Sequence, residues 1–159
     1  MNVYFVFRQE DVARDVERTT ALAGKFARDE NGASLFDSVV LDGDYPEPVR
    51  KLFLEARAEV LLYLTPWTRQ QCPGEFDAED FDDEKDFALF LDIPNRNMSL
   101  VMDAKIAEFI TAYIIYRWLE INRPEMAAIF LARAESARDS ATRAARNCRP
   151  PKTIEGWIA

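Results

Sequence analysis

The amino-acid sequence predicts a mainly α-helical fold, a bundle of four main helices with a minor two-stranded β ribbon. Four long segments repeat apolar residues every three or four positions, the period of a helix with one buried face. Two short apolar runs, at residues 1–7 (MNVYFVF) and 86–94 (DFALFLDIP), are instead typical of strands. The 159 residues suit one ordinary domain. We therefore expect one helical domain over residues 1–149, with an N-terminal strand or arm, and an extended C-terminal arm over residues 150–159.

The first two helices are predicted from apolar stripes and from their stop signals. The first runs from about Gln9 to Arg28 and is followed by Asn31 and Gly32, which commonly terminate helices. Its predicted stripe consists of Val12, Val16, Thr19, Ala23 and Phe26. The second begins near Pro46, because proline is tolerated in a first helical turn, and runs to about Leu64.

The last two helices are predicted to run over about residues 99–121 and 124–147. The third is apolar almost all the way round, so we expect protein to surround it, and its five charged residues argue against a membrane span. The sequence NRPE at residues 122–125 has the form of a capping box that opens the fourth helix. This helix is rich in alanine, which allows a neighbouring helix to approach closely.

The composition argues against most enzymatic chemistry and against a bound cofactor. Histidine is absent, which removes the commonest general base and metal ligand. Two cysteines, Cys72 and Cys148, are too few for a zinc site. None of the usual glycine-rich phosphate-binding motifs occurs among the five glycines. We expect no catalytic residue, no metal and no cofactor, and the remaining enzymatic alternative is a helical hydrolase that uses carboxylates and Mg²⁺.

Charge is distributed unevenly along the chain. Residues 1–122 carry 13 Lys and Arg against 24 Asp and Glu, whereas residues 123–152 carry seven against three. Eight of the twelve residues at 75–86 are acidic, and no register of that run has the glycine of an EF-hand calcium loop, so we expect an exposed loop. This loop would be the contact surface if the chain were a helical binding or regulatory module acting on another protein.

Two surfaces are predicted to form interfaces. Arg138, Arg143 and Arg146 make the last helix basic, as a solvated face, a self-assembly surface or a nucleic-acid contact. The segment 152–159 (KTIEGWIA) contains Ile154, Trp157 and Ile158, and exposing such side chains to water costs roughly 25 cal/mol per Å². It either folds back onto its own domain or inserts into a neighbouring subunit, for example by adding a strand to a sheet edge.

The order of these segments resembles the small head-to-tail connector and tail-completion proteins of tailed phages and prophages. The segments that carry the resemblance are DVERTTALAG, VRKLFLEARAEVLLYL, DFALFLDIP, AEFITAYIIYRWLEI and the final ARNCRPPK. The resemblance implies a non-enzymatic virion protein, assembled in the host cytoplasm as a homo-oligomer that contacts portal or tail proteins. It also implies that DNA can pass an acidic inner wall without specific binding. Because of the charged residues in the third helix, we expect no membrane partner.

Overall fold

The computed structural model describes residues 2–69 and 85–147, and within them the predicted fold class is confirmed. The structure is mainly α-helical, with one two-stranded antiparallel sheet. In chain order the elements are β1 (Asn2–Arg8), α1 (Gln9–Lys25), α2 (Phe36–Val39), α3 (Pro46–Tyr63), β2 (Asp86–Asp92), α4 (Ser99–Asn122) and α5 (Pro124–Arg146). Short 3₁₀ turns at Thr65–Trp67 and Arg96–Met98 follow α3 and precede α4.

The ribbon pairs β1 with β2 from Asn2 opposite Asp92 to Arg8 opposite Asp86. In β1 the alternate residues Phe5 and Phe7 are buried, as the pleat of a strand predicts, whereas β2 buries residues on both faces: Phe87, Leu89 and Leu91 on one, Asp86 and Phe90 on the other. The prediction that residues 75–86 form an exposed loop is wrong for Asp86, which is buried as the first residue of β2. Its Oδ1 accepts a hydrogen bond from the backbone N–H of Gln9 at 3.4 Å, because the first N–H groups of a helix attract a carboxylate. Residues 75–84 lie outside the described part of the chain.

Helix α1 is shorter than predicted and is rotated about its axis. It ends at Lys25, and its buried residues are Val12, Val16, Thr20 and Gly24. Phe26, which is predicted to lie on the buried stripe, is 75% exposed. Thr20 is buried instead because its Oγ1 accepts from the buried backbone N–H of Leu41 at 3.0 Å and donates to the carbonyl of Val16 at 2.8 Å.

Gly24 explains why this face of α1 can approach α2. A Cβ added there would lie 3.3 Å from Phe36 Cδ2 and 3.3 Å from Val39 Cβ, tighter than most such contacts. Beyond the helix, Gly32 has a φ of +80°, a backbone conformation that glycine adopts without steric cost. The predicted stop signal at Gly32 therefore belongs to a turn seven residues after the helix has ended.

Helices α3 and α4 agree closely with their predicted bounds. Helix α3 buries Leu52, Phe53, Ala56 and Val60, and it packs against α4. Most large apolar residues of α4 are buried, but Leu100 and Ile121 are 80% and 78% exposed, so protein does not enclose either end of this helix within the described residues.

The turn between α4 and α5 is not the predicted capping box. Asn122 is the last residue of α4, and its Nδ2 donates to the carbonyl of Trp118 at 2.8 Å. Arg123 occupies the N-cap position without a side-chain cap, and its Nε donates to Ser38 Oγ at 2.8 Å. Six alanines of α5 are buried, and α4 and α5 share the most extensive contact among the described elements.

Candidate protein-binding surface

An open groove runs between α1 and α5 where both helices rest on α4. It encloses about 480 Å³, within the range of ligand-binding clefts. Its floor includes Ala112 and Ile115 of α4, both buried. The walls are formed by Asp15, Arg18 and Thr19 of α1, Ala107, Glu108 and Thr111 of α4, and Phe130 and Arg133 of α5. We call this surface the α1–α5 groove.

The helical period places these residues side by side. Asp15, Arg18 and Thr19 lie within about one turn of α1, and Phe130 and Arg133 are three residues apart on α5. The Arg133 guanidinium lies over the Phe130 ring, 5.1 Å from its centroid. Phe130 is buried, so this stacking covers the ring and holds the arginine along the wall.

The rim of the groove carries both signs of charge. Asp15 and Glu108 are acidic, and Arg18 and Arg133 are basic. Lys105 Nζ lies 2.9 Å from Glu108 Oε2, and both side chains are well exposed, so this ion pair contributes little to stability. A rim of balanced charge suits a protein surface that also carries both signs of charge. A nucleic-acid backbone would instead favour a uniformly basic surface.

Exposed apolar side chains extend this surface along α1 and α5. Leu22 and Phe26 follow Asp15 and Thr19 at helical spacing, and they are 66% and 75% exposed. Ile129, next to Phe130, is 60% exposed. Sequence reasoning missed this groove because it assigned Thr19 and Phe26 to the core. The available signal was Leu22, an apolar residue outside the predicted stripe.

The predicted basic surface of α5 is exposed, but acidic residues interrupt it. Arg138, Arg143 and Arg146 are all exposed, with Glu135 and Asp139 between them around the helix. Arg138 Nε lies 3.9 Å from Asp139 Oδ1. The structure therefore spreads these arginines over a mixed surface, away from the α1–α5 groove. The predicted arm residues Ile154, Trp157 and Ile158 lie outside the described residues, as do both cysteines.

A polar cluster joins α3 to α4 on another side of the bundle. Arg117 Nε donates to Glu55 Oε2 at 3.3 Å, and Arg117 Nη1 donates to Glu120 Oε2 at 2.6 Å. Burial, followed by the charges of Glu55 and Glu59, raises the pKa of Tyr113. These carboxylates face a guanidinium, which leaves them poorly suited to hold a divalent cation. In the part of the chain that the structure describes, no three side chains of metal-ligating type come together as a site.

Comparisons with known proteins gave no match, whether against family models, curated proteins or solved structures. Across residues 2–69 and 85–147, no helix is long and apolar enough to cross a membrane.

Proposed function

We propose that the chain is a non-enzymatic assembly protein that acts by binding copies of itself and other proteins. The observation that carries this proposal is the set of exposed apolar side chains beside the α1–α5 groove, Leu22, Phe26 and Ile129, which are 66%, 75% and 60% exposed. Contact between large apolar side chains and water is unfavourable, so a cluster of them on a surface indicates a site that another protein covers.

The specific form of this proposal is a head-to-tail connector or tail-completion subunit of a tailed phage. The resemblance in segment order supports it, and so does the contrast between an acidic body and a more basic final segment. A subunit with two surfaces of different character binds its neighbours head to tail, and such contacts close into rings when the rotation between subunits allows. In this role the protein would be a component of the virion and would touch portal or tail proteins.

The oligomeric state tests the proposal directly. Light scattering coupled to size exclusion, and native mass spectrometry, should detect oligomers that dissociate as the protein is diluted from about 100 µM to about 1 µM. Negative-stain electron microscopy of the oligomeric fraction should show rings of constant copy number. A chain that stays monomeric throughout this range argues for the alternative, a free helical module that binds some other protein.

A matched pair of substitutions locates the contact. Leu22→Asp places a charge beside the groove and should weaken self-association about tenfold or more. Leu62→Asp makes the same change at a 68% exposed position of α3 and should leave association unchanged. Equal effects of the two substitutions would show that general surface hydrophobicity, and not this face, causes the assembly.

A further inference from the structure

We infer that β1 pairs edge to edge with β1 of a second copy, and that this pairing joins the two ribbons into one four-stranded sheet. The contact is separate from the residues beside the α1–α5 groove. It rests on the proposed function only in requiring that copies of the chain associate.

The two edges of the ribbon differ in how this chain covers them. On the β2 side, the N–H of Arg69 donates to the carbonyl of Phe90 at 3.0 Å, and Thr68 forms a bridge with Leu91. On the other side, no strand or bridge of the described residues lies alongside β1, which pairs with β2 alone. An uncovered edge presents a row of backbone donors and acceptors that a second strand can satisfy.

The direction of these backbone groups follows from the hydrogen bond of Phe90. Its carbonyl points away from β1, and backbone groups in an antiparallel pair alternate in direction from one residue to the next. The groups of Asp92 and Ala88, each two residues from Phe90, also point away from β1, so those of their partners Asn2 and Val6 point away from β2. Within residues 2–69 and 85–147, the N–H and C=O groups of Asn2 and Val6 have no backbone partner.

An open depression along this edge leaves room for another strand. It encloses about 420 Å³ and is lined by residues 2–6 of β1 and by Arg96, Ser99, Leu100 and Asp103 at the start of α4. Successive side chains of a strand point to opposite faces, so five consecutive residues border one depression only if it runs along the edge of the strand. We call this surface the β1-edge depression.

Strand β1 lacks the features by which proteins usually keep an edge unpaired. Residues 2–7 (NVYFVF) contain no proline and no charged residue, and the seven pairs with β2 run without a bulge. A regular, uncharged edge of this kind favours pairing with another strand. Joining two ribbons also gives a sheet of four strands, whereas two strands alone are marginally stable.

The charges of the β1-edge depression favour a second copy as the occupant. Arg96 and Asp103 have opposite charges, both are exposed, and neither forms an ion pair with another described residue. In a two-fold contact the same surface of both copies meets, so Arg96 of one copy can pair with Asp103 of the partner subunit, twice in each dimer. Leu100, which is 80% exposed, is covered from water in the same contact.

Charge reversal in the full chain tests the inference. All variants also carry Leu22→Asp, which weakens the contact proposed beside the α1–α5 groove, and association is measured by analytical ultracentrifugation. We expect Leu22→Asp alone to leave a dimer, which Arg96→Asp or Asp103→Arg weakens about tenfold or more because like charges then face each other. An equimolar mixture of these two variants should restore the dimer, since each supplies the charge that the other lacks. A mixture that stays monomeric, or a dimer that neither reversal weakens, would overturn the inference.

Hydrogen exchange of single backbone amides tests the strand pairing itself. In the Leu22→Asp chain, exchange of the Val6 N–H should slow as the concentration is raised and the dimer forms. The N–H groups of Phe5 and Phe7 face β2 and should be protected at every concentration. Rapid exchange of the Val6 N–H within the dimer would show that the copies meet elsewhere. Protection of the Val6 N–H at every concentration would show that another segment of the same copy covers the edge, and either result overturns the inference.

A matched pair of leucines separates this inference from the proposed function. In the Leu22→Asp chain, Leu100→Asp should weaken the dimer about tenfold or more, whereas Leu62→Asp, at an exposed site on α3, should have no effect. Equal effects of the two substitutions would count against the β1-edge depression as the contact. If the unmodified chain assembles but Leu22→Asp alone makes it monomeric, the β1 contact is wrong while the proposed self-assembly stands. If the unmodified chain is monomeric at every concentration, both the inference and the proposed function fail.

Discussion

Enlarging one alanine between α4 and α5 should destabilise the bundle by a predictable amount. Ala141 is fully buried, and it shares its face of α5 with Ala137, Ala144 and Ala145. Leucine has nearly the same helix propensity as alanine, so Ala141→Leu changes the packing and little else. Three additional carbon atoms in a packed interface cost about 1–3 kcal/mol.

The loss of stability caused by Ala141→Leu can be measured as a decrease in Tm, the midpoint of thermal unfolding. In a chain of this length, 1 kcal/mol corresponds to about 2–4 °C, so Ala141→Leu should lower Tm by roughly 2–12 °C. Far-ultraviolet circular dichroism measures the transition, since most of the described residues are helical. Ala132→Leu is the matched control, because it makes the same change on the same helix at an exposed position.

The control should remain within about 0.5 kcal/mol of the unmodified chain. If Ala141→Leu melts at the same temperature as Ala132→Leu, the alanine face of α5 is not closely packed, and the reasoning about small side chains between these helices is refuted.

Three further changes test other parts of the structure by thermal or urea denaturation. Thr20→Val leaves the buried N–H of Leu41 without its acceptor and should cost about 1–3 kcal/mol, whereas a loss below 0.3 kcal/mol would contradict that role. Gly32→Ala forces a side chain into a positive-φ position and should cost about 1 kcal/mol, while Gly43→Ala should cost nothing. Burial raises the pKa of Asp103 above its unfolded value, so the folded state binds this proton more tightly and the ionised form is the destabilised one. Asp103→Asn should therefore raise Tm at pH 7, and the gain should vanish at a pH low enough for the carboxyl to be protonated in both states.

The elements predictable from sequence were those with a strong local pattern. The bounds of α3, α4 and α5 came within a residue or two, because proline and long apolar periods mark them in the chain itself. Both strands of the ribbon were also predicted, from short apolar runs at residues 1–7 and 86–94.

The errors arose where tertiary partners override local preference. The predicted buried stripe included Thr19, but Thr20 is the buried threonine, because a backbone N–H 21 residues away gives its hydroxyl a buried partner. Asn122 resembled a cap but hydrogen-bonds within its own helix. Asp86 was grouped with its acidic neighbours in sequence, although its position in space is set by the start of α1.

The α1–α5 groove could not be predicted from any single segment. Its walls, on α1 and α5, are more than a hundred residues apart in sequence, and the distance between them depends on how both helices pack against α4. The arginines of α5 were correctly predicted to be exposed, because charged residues rarely enter a core. That Glu135 and Asp139 lie among these arginines becomes apparent only when the residues are placed around the axis of the helix.

The β1–β2 ribbon sets the order in which this polypeptide can fold during synthesis. Strand β1 is made first, but its pairing partner begins some eighty residues later, so the ribosome exposes an apolar strand for several seconds before β2 emerges. The α4–α5 hairpin, by contrast, forms from adjacent residues and closes quickly. Nascent chains that stall before residue 92 therefore carry an unpaired strand edge, and these fragments should be the most aggregation-prone products of translation.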